Sequence, residues 1–552
     1  MLQPTEVLLA VGAEALEEGR WADAQVAFAG ALEVAETGDA LLGLAEAKWW
    51  LGDLSASVVC RERAFRLFSD AGDAFQAAGA ALALTGDYGK QYANPSAAAG
   101  WLAQATRLVE AHGLEPLRGW VVFGAAFNSG DPVEAEALAR EAHELGRRGG
   151  DRDLELCALS LVGVSLVEQG RVAEGVRCLD ESMAVALGAA GRPDTVVFTS
   201  CMMMTSCTRC AEFARAVQWV RATSAFSEKY GCPFLYAECR ILYGEVLLAT
   251  GDWRQAEAEL MVGLEMTRGM VPALHRLAVA GLARLWLAQG RTEEADRLVS
   301  GLGEHTETAP VLARIHLQCG RSGAAASILR RRLATIGEHR LESGVVLELL
   351  GEAELAEGGV EEAVRLGRQL AELAASTGCE LLRARGERLL GWATAAAGDP
   401  AGARRHLDAA LVAFARLEMR HEAARTHYLL AETLREEEPD VAVAEARAAL
   451  AAFEDLGAGS DADLAASLLR QLGVKAGRLG PRNETVLTKR EAQVLSLLGE
   501  GLSNPEIAAR LHLSRKTVEH HVAHVLAKLG LRGRAEAAAE AVRRLGAGSA
   551  GK

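Results

Sequence analysis

Two short stretches near the C-terminus, Ser503-Asn504 and Ser514–Thr517, combine hydroxyl, amide and basic side chains. Hydroxyl groups beside the free backbone amides of a helix N-terminus are good donors to phosphate oxygens. Basic side chains nearby add the charge that displaces counterions from a polyanion. The basic residues expected to supply this charge are Arg515, Lys516, Lys528, Arg532 and Arg534. The predicted chemistry is therefore binding to a phosphate backbone.

Local signals predict four short helices that position these residues. Thr488 caps the first helix, and Glu491 three residues later completes a capping box. Gly501 ends that helix, while Ser503 and Ser514 cap the second and third helices. The third helix carries an apolar stripe at helical spacing, formed by Val518, Val522, Val525 and Leu529. A fourth helix is expected over residues 533–545.

The second and third helices, joined by a tight turn, form a helix-turn-helix, which lays its second helix in the major groove of DNA. The face of the third helix opposite the valine stripe carries Lys516, His520, Ala523 and Ala527, flanked by Glu519 and His524. Glu519 can accept a hydrogen bond from a cytosine amino group, and His520 can donate to guanine. The alternative for each of these residues is a solvated helix face.

The segment from Leu487 to Leu545 resembles the LuxR-type DNA-binding domain, also called the GerE or NarL type. The resemblance is carried by Leu487-Thr488, Arg490-Glu491, Val494-Leu495, Glu500-Gly501, Ser503-Asn504, Glu506-Ile507-Ala508, Leu511, Ser514, Lys516-Thr517-Val518, His521, Lys528-Leu529 and Arg534. It implies that the third helix enters the major groove and that the fourth helix pairs two protomers on DNA. The implied backbone-contacting residues are Ser503, Asn504, Lys516 and Thr517, and the implied base-contacting residues are Glu519, His520 and Ala523. Glu519 and Ala523 stand where the family often has basic or polar residues, so no target sequence is implied.

The charge of the chain is divided unequally along its length. Residues 486–552 contain eleven Lys or Arg and six Asp or Glu, a net charge of +5. The whole chain carries −15, so residues 1–485 carry −20. A basic end on an acidic body predicts that a polyanion contacts only the C-terminal part.

A short sequence motif recurs along the rest of the chain. In this motif a Gly, usually followed by a charged residue, precedes a small residue by five positions. The pairs are Gly19 and Ala24, Gly52 and Ser57, Gly130 and Ala135, Gly170 and Gly175, Gly251 and Ala256, Gly290 and Ala295, Gly320 and Ala325, Gly358 and Ala363, and Gly398 and Ala403. Two of the spacings are double, which indicates a period near ~40 residues. Within one of these double spacings, the region of Gly86-Asp87 before Pro95 fits a further repeat with a short insertion. Within the other, Cys210-Ala211 fits a further repeat less clearly.

Each repeat predicts a helical hairpin, because Gly ends a helix in the left-handed conformation and a small residue permits close packing. One hairpin cannot bury its own apolar face, so neighbouring hairpins must stack. The units resemble tetratricopeptide-like repeats, the alternative being an irregular all-α domain. The predicted fold is all-α: a tetratricopeptide-like α-solenoid over residues 1–472, a linker over 473–486 and a four-helix LuxR-type domain over 487–552.

This arrangement resembles large LuxR-family regulators, which usually begin with an ATP-hydrolysing module. No G-x-x-x-x-G-K-[ST] motif occurs in this sequence, and the segment Gly86–Gln91 has the wrong glycine spacing and lacks the hydroxyl. We therefore expect no nucleotide switch and no cofactor.

Seven of the ten cysteines lie between Cys157 and Cys239, including the pair Cys207 and Cys210. Such a cluster can bind zinc or an iron–sulfur centre, or act as a redox sensor. We favour buried cysteines that serve as small apolar residues, because Cys232 and Cys239 are too far apart for a second close pair. The run Met202–Met204 beside them is likewise expected to pack in the core.

The sequence predicts a sequence-specific transcription regulator with no enzyme signature. Its C-terminal domain would bind double-stranded DNA as a homodimer through the last helix, under control of an unknown protein or small-molecule effector bound by the repeats. The alternatives are an interaction scaffold with a secondary DNA anchor, and a thiol or metal sensor in the Cys157–Cys239 region. The acidic N-terminus and the absence of a long apolar run favour a cytoplasmic protein without membrane contact.

Overall fold

A computed structural model of the chain describes residues 4–92, 94–188, 192–231, 233–268, 272–337, 340–474 and 489–511, together with 518, 521, 522, 525, 526, 533, 534, 536, 537 and 541. The chain divides into two compact units, Met1–Ala476 and Gly477–Lys552. The described residues form helices and no strand. None of the described helices combines the length and the apolar character needed to cross a membrane.

The first unit is a series of antiparallel helices. Its first twelve helices are α1 (Pro4–Glu17), α2 (Trp21–Val34), α3 (Gly38–Trp50), α4 (Leu54–Ala71), α5 (Ala74–Gly86), α6 (Pro95–His112), α7 (Glu115–Asn128), α8 (Pro132–Gly149), α9 (Arg152–Glu168), α10 (Val172–Gly188), α11 (Pro193–Cys210) and α12 (Phe213–Tyr230). The series continues with α13 (Pro233–Thr250), α14 (Trp253–Thr267), α15 (Pro272–Ala288), α16 (Thr292–Val299), α17 (Ala309–Gln318), α18 (Ser322–Ile336), α19 (Ser343–Ala356), α20 (Val360–Thr377), α21 (Glu380–Ala396), α22 (Pro400–Arg416), α23 (Arg420–Leu434), α24 (Pro439–Leu456) and α25 (Gly459–Gln471).

Consecutive helices pair into hairpins, beginning with α1 and α2 and ending with α23 and α24. Within each hairpin and between neighbours, each helix packs against the next one along the chain. The all-α solenoid of tetratricopeptide-like hairpins predicted from the sequence is therefore confirmed. The helix α25 packs its buried alanines and leucines against the last hairpin.

The repeated motif lies at the hairpin turns, as expected. Eight of its nine glycines have positive φ angles, between +69° for Gly320 and +101° for Gly251. The small residue five positions later is buried in all nine repeats. In the repeat that begins at Gly170, the small residue is Gly175, and an added Cβ on Gly175 would overlap the backbone of Gly163 on the facing helix. The glycine of the motif thus ends one helix, and the small residue lets the next helix approach it closely.

Four hairpin turns differ from the pattern, three of them without an insertion. Gly130 lacks a positive φ, because α7 ends at Asn128 through an extended Ser129. Ala211 occupies the left-handed position after α11 with φ +62°. The double spacing between Gly170 and Gly251 therefore contains a hairpin whose turn has no glycine at this position. The turn before Pro439 also lacks the motif, and for that reason the hairpin of α23 and α24 was missed in the sequence.

The other double spacing contains the insertion predicted near Gly86. A π-helical turn spans Asp87–Gln91 between α5 and α6. Asp87 is buried there and pairs with Arg61 at 2.5 Å. Asn94 caps α6, whose first residue is Pro95. The prediction that Pro95 begins a helix is confirmed.

Hairpins far apart in sequence also touch. The Trp21 indole donates to the Tyr230 carbonyl at 2.5 Å across 209 residues. The Arg340 guanidinium donates to the Gly130 carbonyl at 3.0 Å across 210 residues. We call these contacts the seam of the array, since they join hairpins roughly five ~40-residue repeats apart.

Hairpin-turn glycines lie directly in this seam. The pairs are Gly19 with Tyr230, Gly170 with Thr377, Gly251 with Leu456, and Gly290 with Ser460. In each pair, an added Cβ on the glycine would overlap the residue across the seam. At Gly320, Gly358 and Gly398 an added Cβ would meet no other atom. The glycine at a seam position therefore meets a packing requirement in addition to its backbone requirement.

Buried charges connect the first helices of four late hairpins. Arg388 on α21 donates to Glu348 on α19 at 2.6 Å and also pairs with Glu422 on α23. Glu352 on α19 accepts from Arg314 on α17 at 3.0 Å. Glu348, Glu352 and Arg388 are largely excluded from water, and Glu422 is partly buried. Each has an oppositely charged partner, which is the condition for keeping a charge inside a protein.

Candidate nucleic-acid interface

The second unit is built around one apolar core. Its first two helices are α26 (Lys489–Gly499) and α27 (Asn504–Leu511). The buried core residues are Val494, Leu495, Leu497, Leu498, Ile507, Ala508, Val518, Val525, Ala537 and Ala541. This set draws on all four helices that the sequence predicts, and it confirms that Val518 and Val525 face inward. Val522 is partly buried against the same core.

The turn between α26 and α27 follows the predicted capping pattern. Gly501 has φ +82°, as expected for the residue after a helix end. The Ser503 backbone amide and hydroxyl both donate to the Glu506 carboxylate, at 2.7 Å and 2.6 Å. These hydrogen bonds lower the pKa of Glu506. Ser503 therefore lies at the start of α27, and its hydroxyl is engaged by Glu506.

Three of the predicted DNA-binding residues are among the described residues, and the structure brings them together. Ser503 and Asn504 are adjacent at the start of α27. The Arg534 guanidinium donates to the Asn504 side-chain oxygen at 2.8 Å and to the Leu502 carbonyl. The remaining predicted residues, Ser514, Arg515, Lys516, Thr517, Glu519, His520, Ala523 and Lys528, lie outside the described residues, as do Thr488 and Leu529.

The contact of Arg534 with Asn504 was missed in the sequence, where Arg534 was predicted to meet phosphate. Thirty residues separate the two positions, and no local pattern indicates such a pair. The contact depends on how the fourth helix packs against α27, and only the tertiary structure shows that. It leaves Arg534 engaged with the protein itself.

The cysteine-rich segment lies in the first unit, and its close pair lies inside the largest apolar cluster of the described residues. Cys207 and Cys210 on α11 are buried there beside Met203 and Met204. Burial raises the pKa of Cys210 to about 12 and that of Cys207 further. A thiol with a raised pKa forms little of the thiolate that binds metals and reacts with oxidants. Within the described part of the chain, no three His, Cys, Asp or Glu side chains are grouped to hold a metal.

The sequence of the second unit matches a known family. Residues 485–541 match the family described as "Bacterial regulatory proteins, luxR family". The spore germination protein GerE of Bacillus subtilis (strain 168) is 40% identical over 62 residues, which are 11% of this chain and 84% of that protein. The chain belongs to the LuxR family. The residues that carried the resemblance in the sequence lie in the matched segment.

Other relatives share only this segment. The DNA-binding transcriptional activator DevR/DosR of Mycobacterium tuberculosis (strain ATCC 25618 / H37Rv) is 42% identical over 90 residues, 16% of this chain and 41% of that protein. The transcriptional regulatory protein LnrK of Bacillus subtilis (strain 168) is 47% identical over 57 residues, 10% of this chain and 26% of that protein. The chain therefore spans less than half of the length of these two relatives, which are regulators of transcription by name.

Two solved structures align with most of the chain at low similarity. The APC/C hetero-tetramer Cut9-Hcn1 aligns with a TM-score of 0.37 and 14% identity, covering 85% of this chain and 96% of that chain. Yeast Tom70 aligns with a TM-score of 0.33 and 12% identity, covering 79% and 98%. At these values neither alignment establishes a relationship with this protein.

Proposed function

We propose that this LuxR-family protein is a sequence-specific DNA-binding regulator of transcription that acts by binding and not by catalysis. The observation that carries the proposal is the family match over residues 485–541, together with a core that holds α26, α27 and the valines Val518, Val522 and Val525 of the third helix. The burial of Val518 and Val525 supports the prediction that the opposite face of the third helix meets base edges. The domain division at residues 472 and 486 and the cytoplasmic location belong to the same proposal.

We further propose that DNA is contacted by the residues predicted from the sequence, with the exception of Arg534, whose guanidinium is engaged with Asn504 and Leu502. Lys516, Thr517, Ser514 and Arg515 would meet phosphates, and Glu519, His520 and Ala523 would meet bases. Two chains would bind one site through their fourth helices. The helical array would bind a protein or small-molecule effector and control that dimer. Its size supports this role, because stacked hairpins form extended binding surfaces.

The full-length protein tests this proposal on DNA fragments found by genome-wide occupancy mapping. Footprinting should show two protected half-sites about one helical turn, ~34 Å, apart. Light scattering should give two chains per site. Lys516→Gln should reduce the slope of log affinity against log salt by about 1, since one phosphate contact is lost. The control Arg297→Gln removes the same charge from α16 and should leave the slope unchanged.

A result of no specific binding by the full-length protein would contradict the proposal. Specific binding that survives deletion of residues 487–552 would contradict it as well. A stoichiometric partner of the array, with DNA binding unnecessary in the cell, would instead favour the scaffold function. The burial and raised pKa of Cys207 and Cys210 give the thiol or metal sensor no support.

A further inference from the structure

The start of α27 is held by one side chain from the fourth helix. One amino group of Arg534 donates to the Asn504 side-chain oxygen at 2.8 Å, and the other donates to the Leu502 carbonyl. These two acceptors flank Ser503, whose hydroxyl and amide are engaged by Glu506. Arg534 therefore fixes the backbone before α27 and the first side chain within it.

The contact also fixes which way the Asn504 amide is turned. A guanidinium has five N–H donors and no acceptor, so the atom that faces Arg534 must be the Asn504 oxygen. The amide nitrogen is then held on the other side of the group, and its two donors make no hydrogen bond to the described residues. Phosphate oxygens accept hydrogen bonds from asparagine amides in protein–DNA complexes.

Part of the hydrogen-bonding capacity of Arg534 is already used within the unit. Two of its amino groups are committed to Asn504 and Leu502, and its positive charge helps to lower the pKa of Glu506, after the hydrogen bonds from Ser503. An arginine that binds phosphate directly presents its fork of donors to the ligand. The geometry here directs that fork at the protein.

We infer that Arg534 is a positioning residue that orients Asn504 toward a DNA phosphate, and that it is not itself a phosphate contact. The inference rests on the proposed function. It assigns Asn504 as the donor to phosphate and makes the fourth helix the support for the start of α27. The same arginine couples the helix proposed to join two protomers to the start of the helix-turn-helix.

The test uses full-length protein and its mapped DNA site, with affinity measured by fluorescence anisotropy over a range of salt concentrations. Arg534→Lys keeps the positive charge, but one ammonium group cannot reproduce the forked pair of bonds. We expect Arg534→Lys and Arg534→Gln to weaken binding to a similar extent, about tenfold, because a single hydrogen bond is lost. The salt slope should stay at the wild-type value, whereas Lys516→Gln reduces it by about 1.

A double-mutant cycle separates orientation from independent contacts. If Arg534 acts through Asn504, Arg534→Gln should have little further effect once Asn504→Ala is present. Full additivity, a salt slope reduced by about 1 in Arg534→Gln, or wild-type affinity of Arg534→Lys would overturn the inference. Loss of specific binding by the wild-type protein would instead count against the proposed function.

A second variant covers the case in which the arginine substitutions unfold the unit. Asn504→Asp keeps an acceptor for Arg534 but removes both amide donors and adds a negative charge. We expect this variant to retain the wild-type melting temperature and to lose DNA affinity by at least about tenfold. Wild-type affinity of Asn504→Asp would show that the amide does not donate to DNA.

Discussion

At the scale of single residues, glycine has two separate roles in the hairpin turns. Gly170 and Gly320 each begin a copy of the repeated motif and have similar φ angles, +83° and +69°. Gly170 lies against Thr377 in the seam, whereas the space around Gly320 is open. The two positions share the backbone requirement and differ in the packing requirement.

This difference predicts unequal costs for the same substitution. Alanine at either position pays the left-handed penalty of about 1–2 kcal/mol. Gly170→Ala must also displace Thr377, which we expect to add roughly 1–3 kcal/mol. The denaturation midpoint in urea, followed by circular dichroism, should fall further for Gly170→Ala than for Gly320→Ala. Equal shifts would show that the seam does not form in solution.

At the scale of helices, the late hairpins are joined by buried ion pairs as well as by apolar packing. Arg388 lies between Glu348 and Glu422, and so links α19, α21 and α23. Glu348 and Glu422 have second partners, Arg385 at 3.3 Å and Arg425 at 3.6 Å. Removing Arg388 would leave the buried Glu348 and the partly buried Glu422 with only these longer contacts.

We therefore expect Arg388→Met to destabilise the array by about 3 kcal/mol, near the lower end for a broken buried pair. The matched control is Arg365→Met, which removes an exposed arginine paired with Glu362 one turn away on α20. An exposed pair contributes about 0–1 kcal/mol. Urea unfolding of both variants measures the difference, and similar losses would contradict the structural role of the network.

The same ion pairs predict how the stability of the array depends on pH. Burial raises the pKa of Glu422, but Arg388 and Arg425 outweigh it and hold that pKa well below its usual 4.5. A carboxylate with a lowered pKa stabilises the folded state above its unfolded pKa and loses that effect as the pH falls. The wild-type protein should lose stability below about pH 4.5. In Arg388→Met that loss should be shallower, as measured by melting temperature at each pH.

At the scale of the whole molecule, charge separates the two parts of the chain. Residues 1–485 carry −20 and residues 486–552 carry +5. A large negative body opposes the approach of its tethered basic unit to phosphate, and salt screens this repulsion. The charge pattern thus gives the array an influence on DNA affinity that needs no effector.

We expect the fragment Gly477–Lys552 to bind the mapped DNA site at least as tightly as the full-length protein at low salt. The difference should shrink as salt rises, because the Debye length falls to about 8 Å at physiological ionic strength. Titrations of both proteins at several salt concentrations measure this effect. Weaker binding by the fragment would mean that the array supplies dimerisation, and that this outweighs the repulsion.

Much of the local structure could be predicted from the sequence because its causes are local. Gly320 and its relatives end helices by their backbone conformation, and the small residue five positions later is buried in every repeat. Capping and helical spacing likewise indicated Gly501, Ser503 and the inward side of Val518. These features depend on residues within about one turn of each other.

The sequence alone determined that the chain is helical, that it repeats, and that its basic end belongs to a DNA-binding family. The tertiary structure decided that Gly170 meets Thr377 and that Arg534 donates to Asn504. The physical reason is that neither contact has a local cause. The first depends on the rotation accumulated over about five hairpins, and the second on the packing angle of the fourth helix.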